Sequence, residues 1–399
     1  MKLRSLGFGL IIVGALVAAG MTYFNSPQRQ EPIVFSRNEL LDNTWKQYKD
    51  EYIEQGTGRT LDKQKNNITT SEGQSYTLLR AAWMDDRTTF DQSYQWTKDN
   101  LQRETDKTFS WLFGQRNDAS YGILADQGGA NTATDGDTDI ALALVFAYGR
   151  WGNDGYLADA KNLITDIWNQ DVVEVAGQPV IAANNQEKGD KPTAIVNPSY
   201  FSPYAYRIFA TLDPQHNWTG LVDSSYSILE KSTAANLDKG ASAGLPPDWV
   251  EIRKSDGEIL PPTVPGYTTN YGFDAIRTPF RIALDQQYYA EPRAKAYLER
   301  LGFLSGQWSS QRKLSAVYSH EGQTLEQYET PASYGTAIGY FTVVKPDQAE
   351  QVYDEKLKLL YNPDNRKWKQ HLGYYDSNWA WFGIALHDGA LPNLSRGVK

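Results

Sequence analysis

Apolar residues along most of the chain recur at the spacing of amphipathic helices rather than at the alternating spacing of strands. From residue 36 onward, segments of about ten to eighteen residues carry apolar side chains at helical intervals, and short turns join them. The first segment, Ser36–Ile53, begins with Ser-x-x-Glu, the pattern of a capping box at a helix N-terminus. The pattern predicts about twelve helices, which span residues 36–53, 71–85, 89–104, 136–151, 156–169, 199–211, 218–234, 273–287, 292–301, 334–344, 346–361 and 376–387.

Strand-like alternation is confined to short pieces, which we interpret as surface β-hairpins. The predicted hairpins pair residues 172–175 with 179–182, and residues 314–318 with 325–328.

The number of helices and the short connections between them favour a single closed domain. Six helical hairpins in a ring, an (α/α)6 barrel, would use twelve helices, whereas an elongated solenoid would normally show a sequence repeat of fixed period, which we do not find. We therefore predict an all-α fold, an (α/α)6 barrel with small surface β-hairpins. Loops at one end of the ring would form a cleft, and residues 115–134 and 239–270 are long, polar and aromatic enough to line it.

The first residues of the chain have the pattern of an export signal. Two cations precede an uncharged stretch of 19 residues, Leu6–Phe24, which can cross a bilayer as a helix. The positive-inside rule then places everything after Phe24 outside the cytoplasm. Small residues within the stretch would also suit cleavage and secretion, but the apolar run continues past them, which favours an uncleaved membrane anchor. We therefore divide the chain into an anchor and tether, residues 1–29, and one catalytic domain, residues 30–399.

Composition excludes several classes of partner and site. The formal net charge is -9, and Lys and Arg are not gathered into a stripe that could neutralise phosphates, so nucleic acid is excluded as a partner. The chain has no cysteine, which excludes disulfides, thiolate metal sites and a cysteine nucleophile. The four histidines are too dispersed for an H-E-x-x-H zinc helix.

Carboxylates stand at the starts of three predicted helices, where a polar side chain can point into a cleft. Each has a simpler explanation: Glu72 in a first helical turn complements the helix dipole, and Asp274 with Arg277 has the spacing of a surface ion pair. Pro279 limits how far a regular helix can extend back towards Asp274. The three segments are residues 70–76, 133–139 and 271–281.

Two motif-like patterns are excluded by their context. The alternating acids that begin at Asp135 imitate a calcium loop, but Ile140 stands where that loop needs glycine and Phe146 where it needs glutamate. The G-x-S-x-G pattern at residues 240–244 is followed by two prolines and preceded by no apolar strand, so it is not a serine-hydrolase motif.

Four motifs taken together resemble glycoside hydrolase family 8, a bacterial family of endoglucanases, lichenases, chitosanases and xylan-active enzymes. They are Ser-Glu-Gly-Gln-x-Tyr, Ala-Thr-Asp-x-Asp-x-Asp, Asn-Pro-Ser-Tyr-Phe and an aromatic residue followed by Asp-Ala-x-Arg. Their order and spacing match the family across roughly half of the chain, and the resemblance implies the same (α/α)6 barrel. The motifs occupy residues 71–76, 133–139, 197–201 and 273–277.

The resemblance also implies a role for each charged residue of the motifs. Glu72 would be the general acid that protonates the leaving glycosidic oxygen, and Asp274 the general base that takes a proton from the attacking water. Asp135 would hydrogen-bond the sugar at the cleavage point, and Arg277 would bind at the same site, orient Asp274 and keep it ionised. Such a pair of carboxyl groups separated by about 6.5–9.5 Å hydrolyses with inversion.

Aromatic residues are candidates for sugar-stacking platforms, although core packing is the alternative for each of them. Two departures from the family pattern bear on the site: Gly136 replaces the usual alanine, and Phe273 stands where many members have tyrosine. The candidate platforms are Trp111, Tyr200, Tyr204 and Tyr375.

These observations predict an exported, membrane-anchored, inverting endo-β-1,4-glycanase, most simply an endoglucanase that trims exported polysaccharide. Its substrate would be a β-1,4-glucan, and it would need no metal or organic cofactor and act as a monomer. The alternatives are a chitosanase, lichenase or xylan-active enzyme of the same family. A non-catalytic polysaccharide-binding protein is disfavoured because both the acid and the base are present.

Overall fold

Helices dominate residues 38–398, the part of the chain that the computed structural model describes. No helix within that range is long and apolar enough to span a membrane. The predicted anchor, Leu6–Phe24, and the boundary at residue 29 lie outside the described residues and stay predictions. The described α-helices are α1 (Glu39–Tyr52), α2 (Ser71–Trp83), α3 (Arg87–Leu101), α4 (Thr134–Trp151), α5 (Asp154–Asp171), α6 (Pro203–Leu212), α7 (Trp218–Ala234), α8 (Thr278–Tyr289), α9 (Pro292–Glu299), α10 (Gly302–Gln311), α11 (Pro331–Val344), α12 (Pro346–Val352) and α13 (Tyr374–His387).

Twelve of these helices form two concentric rings. Helices α2, α4, α6, α8, α11 and α13 contact one another in that order and make the inner ring. The ring closes where Tyr76 of α2 packs edge-on against Trp379 of α13, with ring centroids 5.5 Å apart. Helices α3, α5, α7, α9, α12 and α1 pack on the outside of the same inner helices, in the same order. The predicted (α/α)6 barrel is therefore confirmed.

Inner and outer helices differ in how much of their surface is apolar. Every residue of α4 from Thr134 to Ala147 is buried, since neighbours in the inner ring and the outer ring enclose the helix. Its outer partner α5 buries only one stripe, as an amphipathic surface helix does. Helix α4 ends at Gly152, whose φ of 66° gives the left-handed cap that glycine adopts without steric cost.

Several helix ends differ from the predicted ones. Asn38, not Ser36, is the N-cap of α1, and its side chain accepts a hydrogen bond of 3.2 Å from the backbone N–H of Leu41. Helix α8 begins at Thr278 rather than at residue 273, because Pro279 takes one of its first two positions and the preceding residues form a 3-10 turn. Helix α10 was not predicted, since its two glycines and three serines weaken the helical pattern.

The strands are short, and they form two sheets of three strands and three hairpins within the described residues. Both predicted hairpins are present, as β4 with β5 and as a shortened β9 with β10. The two larger sheets were not predicted, because strands of two to four residues give almost no alternation to detect. The strands are β1 (Thr69–Thr70), β2 (Leu112–Gln115), β3 (Tyr121–Ile123), β4 (Val172–Val175), β5 (Gln178–Ile181), β6 (Thr193–Val196), β7 (Val250–Arg253), β8 (Ile259–Leu260), β9 (Val317–Tyr318), β10 (Thr324–Glu326), β11 (Tyr361–Asn362) and β12 (Lys367–Trp368).

The two larger sheets flank the ends of the inner helices. Strand β1 leads directly into α2, and the backbone N–H of Ser71 donates to the carbonyl oxygen of Trp111, the residue before β2. Strands β6 and β7 are antiparallel with Val196 opposite Val250, so residues 197–199 and 248–249 emerge at the same end of the sheet. The sheets thereby bring segments that are distant in sequence to the N-terminal ends of α2, α4 and α8.

Candidate active site

The guanidinium group of Arg277 joins three carboxylates that the sequence motifs had singled out. Its Nη1 donates to Glu72 Oε2 at 2.6 Å and to Asp135 Oδ2 at 2.9 Å. Its Nη2 donates to Asp274 Oδ1 at 2.5 Å and to Ser199 Oγ at 3.1 Å. All four motifs therefore meet at one arginine, whose side chain is only 2% exposed.

Close packing of two helix starts places Glu72 next to Asp135. Thr70 caps α2 by accepting from the N–H of Gly73 at 3.0 Å, and Glu72 follows in the first turn. A Cβ atom on Gly136 of α4 would lie 2.5 Å from Ser71 Oγ and 3.0 Å from the backbone nitrogen of Glu72. Gly136, one of the two departures from the family pattern, therefore allows α4 to start in contact with the start of α2.

The alternating acids of α4 separate into two groups because of helical periodicity. Asp135 and Asp139 are four residues apart and lie on one face, where they bind Arg277 and Arg281, which are also four residues apart. Both oxygens of Asp139 accept from Arg281, at 2.8 and 2.7 Å. This second buried ion pair lies one helical turn below the first and supports it.

Asp137 points away from this face, towards α5. It is fully buried with Asp171, and each carboxyl group has one oxygen without a hydrogen-bond partner among the described residues. Burial, together with the charge of Asp171, raises the pKa of Asp137 well above its ordinary value, and burial raises the pKa of Asp171 to about 7. The pair lies on the opposite side of α4 from Arg277, so we place it outside the catalytic set.

The two candidate catalytic carboxyl groups have different surroundings. The pKa of Glu72 is raised to about 7 by burial and by the negative charges of Asp135 and Asp274, against the opposing charge of Arg277. The pKa of Asp274 is also raised by burial, but Arg277 and the hydrogen bond from Trp249 oppose that effect. Their side chains remain 24% and 32% exposed, so both are accessible to a substrate.

Hydrogen bonds engage only one carboxyl oxygen of Glu72 but both carboxyl oxygens of Asp274. Glu72 Oε1 accepts no hydrogen bond from any residue between 38 and 398, whereas both oxygens of Asp274 are engaged. Trp249 Nε1 donates to Asp274 Oδ2 at 3.1 Å, and its indole stacks on Tyr267 with centroids 4.1 Å apart. Sequence reasoning missed Trp249 as a site residue, although it placed residues 239–270 along the cleft.

Two of the candidate platforms lie beside these carboxylates. The ring of Tyr200 lies 5.2 Å from the guanidinium carbon of Arg277, and the ring is partly exposed. The hydroxyl of Tyr375 donates to the carbonyl oxygen of Phe273, the residue before the base, and the Tyr375 ring contacts that of Phe273 edge-on. The Phe273 side chain is 43% exposed, which makes it a further platform candidate.

The other two candidate platforms have different surroundings. Trp111 is partly exposed, precedes β2, and donates from Nε1 to the carbonyl oxygen of Gly128 at 3.0 Å. Tyr204 is only 2% exposed, and its hydroxyl accepts from Arg281 at 3.2 Å. A ring buried to that extent cannot offer a face to a sugar, so Tyr204 supports the lower ion pair instead.

Asp135 is much less exposed than the other two carboxylates that bind Arg277. Its side chain is 3% exposed, and its two oxygens accept from Arg277 and from the backbone N–H of Gly136. A direct hydrogen bond from Asp135 to a sugar stays a prediction. Among the described residues there is no group of three or more His, Cys, Asp or Glu side chains that could hold a metal ion.

Comparison with known proteins gives a family match over most of the chain. The model of the family described as "Glycosyl hydrolases family 8" matches residues 32–366. Endoglucanase C of Ruminiclostridium cellulolyticum is 33% identical over 368 residues, which cover 90% of this chain and 72% of the relative. Endoglucanase 2 of Ruminiclostridium josui is 33% identical over 338 residues, 81% of this chain and 67% of the relative.

Solved structures match the fold over nearly the whole chain. The β-1,3-1,4-glucanase from a Paenibacillus species aligns with a TM-score of 0.74 at 22% identity, covering 90% of this chain and 96% of that one. The endo-1,4-D-glucanase from Vibrio fischeri aligns with a TM-score of 0.71 at 24% identity, covering 86% and 94%. At this level of identity the alignments bear on the fold alone.

Proposed function

The chain belongs to glycosyl hydrolase family 8, and on that basis we propose that it is an inverting endo-β-1,4-glucanase. The observation that carries the proposal is the binding of Glu72 and Asp274 to different nitrogens of the same arginine, in surroundings that differ. Hydrolysis by an acid and a base at one pH needs one carboxyl group protonated and the other ionised. The relatives at 33% identity, both named endoglucanases, support β-1,4-glucan as the substrate.

In this mechanism the raised pKa of Glu72 keeps a proton available near neutral pH. Oε1 of Glu72, which has no partner among the described residues, would donate that proton to the leaving glycosidic oxygen. Asp274, held by Arg277 and Trp249, would take a proton from the water that attacks the opposite face of the sugar. Arg277 neutralises part of the negative charge that three neighbouring carboxylates create.

The substrate is tested by comparing polysaccharides that differ at defined positions. We expect residues 30–399 to release reducing ends fastest from carboxymethylcellulose, more slowly from mixed-linkage β-glucan, and least from chitosan and xylan. Relative to a β-1,4-glucan, chitosan carries an amine at C2 and xylan lacks the C6 hydroxymethyl group, so the two polymers test recognition at different positions of the sugar. A preparation carrying Glu72→Gln controls for contaminating hydrolases. Release from chitosan or xylan alone would contradict the glucanase assignment while keeping the family.

The pH dependence of the reaction should report the two carboxyl groups. Glu72 must be protonated to act, so we expect kcat/KM to fall as pH rises above about 7, the pKa of Glu72. Asp274 must be ionised, so kcat/KM should also fall on the acidic side, and the profile should be bell-shaped. Initial rates between pH 4 and 9, with circular dichroism at each pH to exclude unfolding, measure it. Constant activity up to pH 9 would rule out Glu72 as the acid.

A further inference from the structure

The loop that carries the candidate base is held in place by a second, buried carboxylate. Oδ1 of Asp248 accepts hydrogen bonds from the backbone N–H groups of Gly272, Asp274 and Ala275, at 3.2, 3.1 and 2.7 Å. Asp248 is 7% exposed. We propose that Asp248 is a positioning residue that orients Asp274 for proton abstraction. This inference rests on the proposed role of Asp274 as the base.

Because one oxygen atom of Asp248 accepts hydrogen bonds from three backbone amides, it fixes the backbone path of residues 272–275. Three backbone amides within four residues of the loop converge on this oxygen, and each bond fixes the position of the residue that donates it. Residues 272–274 lie directly before the 3-10 turn, residues 275–277, that contains Arg277. A shift of residues 272–274 would therefore move Asp274 relative to this turn.

The residue opposite Asp248 is a glycine for a steric reason. A Cβ atom added to Gly272 would lie 2.5 Å from Oδ2 of Asp248, closer than real Cβ atoms approach other heavy atoms. The φ angle of Gly272 is not positive, so its backbone conformation does not itself require glycine. The glycine is explained by the approach of the Asp248 carboxylate to the backbone of the loop.

The residue after Asp248 holds the side chain of the base. Trp249 donates to Asp274 Oδ2, so two consecutive residues hold the backbone and the carboxylate of Asp274 separately. Both precede β7, whose pairing with β6 sets Val250 opposite Val196. A hydrogen-bonded sheet is thus the rigid support against which the base is oriented. Misplacement of a reacting group by about 1 Å can cost about 100-fold in rate.

Two substitutions test the proposal in different ways. Asp248→Asn keeps the shape of the side chain but removes its charge, and Gly272→Ala keeps the charge but forces the carboxylate away from the loop. We expect each to lower kcat on carboxymethylcellulose by about 10- to 100-fold, with KM changed less than twofold. Asp256→Asn is the matched control, because Asp256 is an exposed aspartate in the turn between β7 and β8, where it binds Arg253. It should change neither constant. If kcat stays within twofold of wild type in both variants, the proposal is wrong.

A second measurement separates positioning of the base from a general structural role. In Asp274→Ala, azide can attack the anomeric carbon directly while Glu72 protonates the leaving oxygen, so a glycosyl azide forms without any base. We expect the azide-supported rate of Asp274→Ala to be unchanged when Asp248→Asn is added, because Asp248 then has no base to orient. If the added substitution lowers that rate by the same factor as it lowers wild-type turnover, its effect does not pass through Asp274 and the proposal is overturned.

A third measurement does not depend on activity. Amide hydrogen exchange of the peptide that contains residues 272–275 should be faster in Asp248→Asn than in wild type, and unchanged in Asp256→Asn. Unchanged protection would overturn the proposal whatever the substrate. If protection is lost but the wild-type protein hydrolyses no glucan, the proposed function fails while the hydrogen bonds from Asp248 to the loop are upheld.

Discussion

Glu72→Gln should bind cello-oligosaccharides as tightly as the wild-type protein and yet lose hydrolysis by about 10²- to 10⁴-fold, the usual contribution of general acid catalysis. The amide group of glutamine is not acidic enough to donate a proton to the leaving oxygen. Its carbonyl oxygen can still accept from Nη1 of Arg277, which in the wild type binds Glu72 at 2.6 Å. The substitution therefore removes the proton and keeps the structure, and kcat from reducing-end release together with Kd from calorimetry measures both.

The control for this variant is Glu326→Gln, which changes an exposed glutamate of β10 in the same way. It should leave kcat, Kd and melting temperature at their wild-type values. Activity of Glu72→Gln within about tenfold of wild type would sink the assignment of Glu72 as the acid. A large fall in melting temperature would instead show that the charge of Glu72 stabilises the ion-pair cluster.

The second large effect is expected at the base and is best measured together with stereochemistry. Inverting hydrolysis of a β-glucan releases the α-anomer first, because water enters from the face opposite the leaving oxygen. Proton NMR of wild-type digestion in the first minutes, before mutarotation, should show that anomer. Asp274→Ala should abolish turnover. Asp274 is the only carboxylate among the described residues that binds Nη2 of Arg277, so no other one stands in its place to act as the base.

Asp135→Asn is the comparison variant for Asp274→Ala. Asp135 is 3% exposed and binds Arg277 without reaching solvent, so its neutral analogue should retain appreciable activity. The reverse ranking of the two variants would exchange the roles of Asp135 and Asp274 and keep the family. A β-anomer as the first product would mean that a carboxylate acts as a nucleophile.

The parts of the site that sequence could predict are those that lie on regular helices or within short motifs. Glu72, Asp135, Asp274 and Arg277 were identified from motifs, and the structure brings all four together. Helical periodicity alone separates Asp137 from Asp135, since two residues along a helix turn a side chain by about 200°. The helix count likewise predicted the barrel, because each predicted segment contains a buried or amphipathic helix, although the predicted segment 346–361 is an α-helix only at residues 346–352.

The parts that sequence missed depend on contacts between distant segments. Asp248 and Trp249 lie about 25 residues before the base in a region without clear periodicity, and only the pairing of β6 with β7 brings them to Asp274. Tyr204 could not be distinguished from Tyr200 by residue type. The two tyrosines are only four residues apart, and tertiary packing buries the ring of Tyr204 against Arg281. Tertiary packing determines which of these side chains is buried, and a local sequence pattern does not contain that information.

The shared arginine has a consequence for how the enzyme returns to its starting state. During one inverting turnover Glu72 gives its proton to the leaving group, and Asp274 acquires a proton from water. The carboxylate bound to Nη2 of Arg277 therefore loses its negative charge, while the carboxyl group bound to Nη1 gains one. The total charge around the guanidinium is therefore the same before and after the reaction. No counterion has to enter or leave a largely buried cluster, and the two carboxyl groups need only exchange protons with the solvent that reaches their exposed sides.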